Sequence, residues 1–184
     1  MAKISSKFRK GFTLVETLVA ITVLIIGVLG PLNMATRGIT DGFYAKNIVT
    51  ATYLAQEGLD LVSNKIQNNL KNNPSTWLVG FEACDEDGET CTVSFSSDPT
   101  FTTCVEETCG IQYCPSLGLY VKIGGICGGN NWSGPIFRRA VKLILNTSGN
   151  DLDSKEVKVE VSMNWMDKTS PRHLDLSRYL YNTK

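Results

Sequence analysis

Imidazole is almost absent from this sequence: its one histidine is His173. With no nucleophile-elbow motif and no phosphate-binding glycine loop either, no catalytic constellation forms, and an enzyme is not expected. Metal ligands are equally sparse in pattern. No C-x-x-C pair occurs, and the cysteine spacing fits neither a zinc ribbon nor a plant-type ferredoxin, so neither metal nor cofactor is expected. Net charge is missing as well, with eighteen Lys and Arg against eighteen Asp and Glu. That balance argues against general nucleic-acid binding, which rests on basic side chains displacing counterions. Charge is also missing locally, and this absence organises the chain: between Phe12 and Leu32 the only ionisable side chain is Glu16.

A stretch of about 20 apolar residues is one bilayer crossing as a helix. A carboxylate inside such a stretch costs on the order of 2.5–3.5 kcal/mol, so it calls for a neutralising partner, and Glu16 has none nearby in its own sequence. Ahead of the run lies a basic segment, Lys3, Lys7, Arg9 and Lys10, with no acid. By the positive-inside rule that end stays cytoplasmic and everything after Leu32 crosses the membrane. An ordinary secretory signal places its small-residue cleavage site after the apolar core, whereas here the candidate glycine, Gly11, comes before it and no Ala-x-Ala follows Leu32. An uncleaved anchor would leave Glu16 unexplained.

The run Gly11-Phe12-Thr13-Leu14-Val15-Glu16, between a short basic leader and an apolar segment, resembles the prepilin leader of type IV pilins and type II secretion pseudopilins. The resemblance implies cleavage by a prepilin peptidase after Gly11 and methylation of the new amino terminus at Phe12. It also implies that Glu16 pairs with the terminal amine of a neighbouring subunit, and that Leu14, Val15 and Leu18 pass from lipid into a filament core. Other pilin or pseudopilin subunits, the prepilin peptidase, an inner-membrane assembly platform and membrane lipid are the implied partners; nucleic acid is not. Gly27, Gly30 and Pro31 are weak helix positions, where a kink is expected on propensity alone. In the family this region is thought to unwind on assembly. The same three residues resemble the end of the apolar run in V-type minor pilins and I-type minor pseudopilins. The implied location is the inner membrane, single-pass, and then an extracellular or periplasmic filament.

Removal of residues 1–11 as a leader would take four basic residues, leaving fourteen against eighteen acidic ones. The helix from Phe12 is expected to run on through a stripe of Ile48, Ala51, Ala55, Leu59, Val62, Ile66 and Leu70, spaced by three and four. It should stop at Asn72-Asn73-Pro74, and unbroken it would be about 90 Å long at about 1.5 Å per residue. The organisation expected is a leader (1–11), a long helix (12–72, its 12–32 part transmembrane) and a globular head (73–184).

Within the head, all six cysteines (Cys84, Cys91, Cys104, Cys109, Cys114 and Cys127) fall in one polar, glycine-rich stretch, 84–127. Outside the cytoplasm this reads as disulfides, with local pairs such as Cys84–Cys91 preferred but the connectivity open. The stretch looks like an insertion held by covalent bonds more than by a core. Its acidic run, Asp85 to Glu89, fails as an EF-hand loop because the twelfth position counted from Asp85 is Ser96, so a solvated turn is expected and calcium is the alternative. Asn131 and Asn146 head glycosylation-like sequons, a short pattern that by itself says little.

An antiparallel sheet is expected over 117–180: Leu117 to Ile123, then Phe137, Val141, Leu143 and Leu145 on one face, then Val157 to Trp165 in strict alternation, and a last strand with Leu174 and Leu176 after Pro171. The stripe on the helix would cover its apolar face, which makes an α+β pilin fold: a long amino-terminal helix, an antiparallel sheet and a disulfide-rich insertion. The function expected is that of a minor pilin or pseudopilin. The alternative is an anchored or tip-located adhesin or ligand-binding head, with Trp77, Phe81, Tyr113 and Trp132 as an exposed aromatic surface. Arg138 and Arg139, the only adjacent basic pair after the leader, alternate across a strand and form no patch for DNA.

Overall fold

The computed structural model describes residues 11, 13–84, 90–94, 99–105, 108–123, 127, 133–145, 156–167 and 170–182. It divides into two compact units, Met1–Ala45 and Lys46–Lys184. One helix, α1 (Leu14–Asn72), contributes to both.

In the first unit α1 is exposed along its apolar side chains from Leu14 to Leu32, and it is long and apolar enough to cross a membrane. The helix is assigned without interruption through Gly27, Gly30 and Pro31. Threonines along it return their hydroxyls to the preceding turn, as Thr22 does to the Leu18 carbonyl at 2.8 Å, so these polar groups stay satisfied without solvent.

In the second unit the helix is one layer and a seven-stranded antiparallel sheet is the other. Helix residues from Lys46 onward belong with the sheet. The stripe is where its spacing puts it: Ala51, Ala55, Leu59, Val62 and Ile66 are buried, with Ile48 and Leu70 partly so. Leu54 and Gly58 widen it. Gly58 serves close approach, because a Cβ there would lie 3.1 Å from Arg139 Cδ and 3.3 Å from Val161 Cγ1. The helix ends before Pro74, and Asn73 accepts from the Ser75 N–H at 3.1 Å to start a short 3-10 turn. Asn69 ties down the segment after that turn, donating to the Trp77 and Val79 carbonyls at 3.0 and 2.8 Å.

The strands are β1 (Thr90–Ser94), β2 (Thr100–Cys104), β3 (Gly110–Cys114), β4 (Leu119–Lys122), β5 (Ser133–Leu145), β6 (Glu156–Asp167) and β7 (Ser170–Tyr181). β5 is central. It pairs with β6 from Phe137↔Trp165 to Leu145↔Val157, which occupies one edge throughout. Its other edge therefore takes both hairpins in succession, β3 near Arg138 and β1 at Val141. β7 closes the far side against β6.

Three expectations need revision. The cysteine-rich stretch is part of the sheet and its core: Phe81, Cys84, Cys91, Val93 and Ile111 are buried with the helix and with β5 and β6. β1 alternates Cys91 and Val93 with Thr90, Thr92 and Ser94, and β2 holds one large apolar side chain, Phe101, so over five residues each the apolar signal is short and diluted by threonine, which is β-branched but polar. Leu117 lies in the turn before β4, with Gly118 at φ +67°, a left-handed position that suits glycine; it is half exposed, and Ile123 lies just past the strand's end. The last strand begins at Ser170 and contains Pro171, which β7 tolerates because it is an edge strand.

Candidate functional site

At the start of α1, Thr13 accepts a hydrogen bond from the Glu16 N–H at 3.3 Å, and its carbonyl accepts from the Thr17 N–H at 3.2 Å. Thr13 is thus the N-cap, and Thr13-x-x-Glu16 has the capping-box spacing. The signal was present in the sequence as a Thr and a Glu three apart before an apolar run. A consequence is that the helix begins three residues after Gly11, at Leu14, with Glu16 in its first turn, where a negative charge is favoured by the helix dipole. Glu16 is exposed, as are Leu14 at 79% and Val15 at 70%. Gly11 stands in open space. Phe12 lies outside the described residues.

A family model described as the prokaryotic N-terminal methylation motif matches residues 6–30. The chain carries this methylation motif at its amino-terminal end. The match takes in Lys7, Arg9 and Lys10 of the basic leader, Gly11, Glu16 and the apolar run through Gly30. The motif lies over the start of an apolar helix long enough to cross a membrane, which suits a membrane anchor. Comparison with curated proteins and with solved structures gives no match.

The other candidate residues lie in the head. The six cysteines form Cys84–Cys91, Cys104–Cys109 and Cys114–Cys127. No cluster of metal-binding side chains occurs among the described residues, and the acidic run 85–89 lies outside them. Trp77 and Phe81 are core residues, 6% and 1% exposed, and Phe81 packs on Phe101 at 4.4 Å between ring centroids. They cannot serve as an exposed aromatic surface. Tyr113 is half-buried against Tyr120, and Trp132 lies outside the described residues. His173 is exposed.

Arg139 is a residue that reading for a basic patch passes over. It is 3% exposed on the inner face of β5. Its guanidinium donates to the Leu54 carbonyl at 3.0 Å, to Glu57 Oε2 at 3.0 Å and to the Val93 carbonyl at 3.2 Å. Burial pushes its pKa down and the Glu57 carboxylate pushes it back up. One side chain thereby joins α1, β5 and β1. The clue lay in strand parity, since residue 139 shares a face with Phe137, Val141 and Leu143.

Proposed function

We propose that this protein is a minor pilin or pseudopilin, stored in the inner membrane, cleaved after Gly11, N-methylated at Phe12 and built through α1 into a type IV pilus or related filament. The observation that carries the reading is the methylation-motif match at 6–30 lying over an apolar helix that starts beside Gly11. Leader (1–11), membrane-spanning part (12–32), the rest of the helix (to 72) and head (73–184) are the proposed divisions. Leu14 and Val15 would move from lipid to a filament interior of similar polarity, so transfer need not incur the cost of exposing them to water. Glu16 supplies direction and register by meeting the Phe12 amine of an adjacent subunit, an opposite-charge pair in a low-dielectric setting. Gly27, Gly30 and Pro31 are where the helix would unwind on packing, having the weakest helix propensity in the segment. A minor role is supported by the resemblance of these three residues to V- and I-type subunits.

The test is amino-terminal mass spectrometry of the protein from its native membrane, together with recovery of Glu16→Ala in sheared filaments. A peptide starting at N-methyl-Phe12, and a variant that is cleaved but poorly incorporated, are expected. A start at Met1 or Ala2, or a cut beyond Leu32, would remove the filament reading, and normal incorporation of the variant would remove the role of Glu16.

A further inference from the structure

Helix α1 covers one face of the sheet; the opposite face carries a trough of about 390 Å³, within the range of small-molecule sites. We propose that this trough binds an acidic saccharide. Its long axis follows β5, whose outward side chains are Arg138, Ala140 and Lys142, set in register against Asn164, Ser162 and Glu160 of β6. The middle pair, Ala140 and Ser162, is small and forms the floor. The long side chains on either side of it form the ends.

Charge selects the ligand's sign. Two cations face one carboxylate, and that carboxylate, Glu160, is already ion-paired with Lys158. Among the described residues neither Arg138 nor Lys142 makes an ion pair or a side-chain hydrogen bond. Their α-carbons are four strand positions apart, about 13 Å at about 3.3 Å per residue, so a ligand meeting both is longer than a lone phosphate or carboxylate. A guanidinium grips a carboxylate or sulfate through paired N–H donors, while the lysine supplies a point charge.

Hydrogen-bonding capacity selects the ligand's skeleton. Asn164 and the Ser162 hydroxyl both donate and accept, and Thr90 at the rim, whose hydroxyl donates to the Cys104 carbonyl at 3.1 Å, still accepts. A dense array of such groups over a small floor suits a polyhydroxylated ring. No aromatic side chain lines the trough among the described residues, so a neutral sugar lacks a ring to stack on and recognition falls to charge. One wall is held covalently: Cys109 lines the trough, is bonded to Cys104 and accepts the Arg139 N–H at 2.9 Å through its carbonyl. That wall loses little ordering entropy on binding.

The experiment is titration calorimetry of the full chain in detergent micelles. The probes are uronate-bearing tetrasaccharides, the same tetrasaccharides after carboxyl reduction, and tetraglutamate. The expected result is saturable binding of an acidic tetrasaccharide that weakens at least tenfold on carboxyl reduction and at least tenfold in Arg138→Ala/Lys142→Ala. Both side chains project away from the core, and circular dichroism checks that the variant folds. Absence of saturable uronate binding, equal binding of the reduced sugars, an unaffected variant or tighter binding of tetraglutamate would each overturn the proposal. None of these readouts involves amino-terminal processing, so the outcome is independent of the filament reading.

Discussion

Arg139 shows how much one side chain can organise. Its three hydrogen bonds go to two buried backbone carbonyls and to Glu57, whose side chain is 34% exposed. Replacing Arg139 by alanine removes a donor from both carbonyls and leaves Glu57 without its partner, and it should lower stability by about 3 kcal/mol. Glu57→Gln keeps an oxygen to accept the bond but leaves the guanidinium without a counter-charge, for a smaller loss of about 1 kcal/mol. Urea denaturation of the two variants measures the difference, and equal losses would mean that the charge pair, not the carbonyl bonds, dominates. Glu82 offers a pH test. Its carboxylate accepts the Gly80 N–H at 3.0 Å, which holds its pKa below the ordinary 4.5. A lowered native pKa means stability present above 4.5 and lost as pH falls through the native value, so Glu82→Gln should flatten the acid limb of a melting-temperature profile below about pH 4.5. The effect is small because the group is exposed.

Among the elements, the two hairpins β1–β2 and β3–β4 depend most on covalent links, since each strand is only four or five residues long. In the chain-entropy account a longer closed loop contributes more. Replacing Cys114 and Cys127, separated by 13 positions, with alanine should cost about 3 kcal/mol. The pair Cys104 and Cys109, separated by 5, should cost about 2 kcal/mol. Urea midpoints under non-reducing conditions give the order, and a reversed order would show that packing around Cys109 outweighs loop length. β7 raises the opposite problem, being a twelve-residue strand that among the described residues pairs on one edge only. Pro171 removes a donor there, while Arg172 and Arg178 share the inward face with Leu174, Leu176 and Leu180, placing charge where a docking strand would need apolar surface. Arg178 is held by Asp60 and Ser63 of α1 at 3.0 and 3.2 Å.

For the whole molecule the division at Ala45 is consequential. Every buried side chain of the core belongs to the unit that starts at Lys46, beginning with Ala51. A fragment spanning 46–184, made in an oxidising compartment, should therefore be soluble and fold cooperatively without the apolar segment. Far-UV circular dichroism with thermal melting checks this, and a fragment that is insoluble or melts without a transition would show that the head needs the amino-terminal unit. The amino-terminal segment and the helix stripe were legible because both are local: a membrane run, a capping-box spacing and a 3.6-residue repeat are written in consecutive residues. β6 was legible for the same reason, with apolar and polar residues alternating from Val157 to Trp165.

The rest depended on partners distant in sequence. β1 and β2 are five-residue, threonine-rich strands with little apolar signal, and it is pairing that makes them strands, β1 with β2 along its length and with β5 at Cys91. Trp77 and Phe81 could have been surface or core until Ile66, Val93 and Phe101 came together around the same cluster. Arg139 reads as a surface cation in isolation and becomes a buried clamp because the helix carbonyl at Leu54 and the strand carbonyl at Val93 converge on it. The trough between Arg138 and Lys142 exists only because β6 sets Ser162 opposite Ala140. The amino-terminal motif, the apolar helix and the covered face of the sheet follow from neighbouring residues and could be read from the chain alone. Cysteine pairing, strand order and the fate of each polar side chain were decided by tertiary structure, because burial and hydrogen-bond partners are properties of the assembled chain.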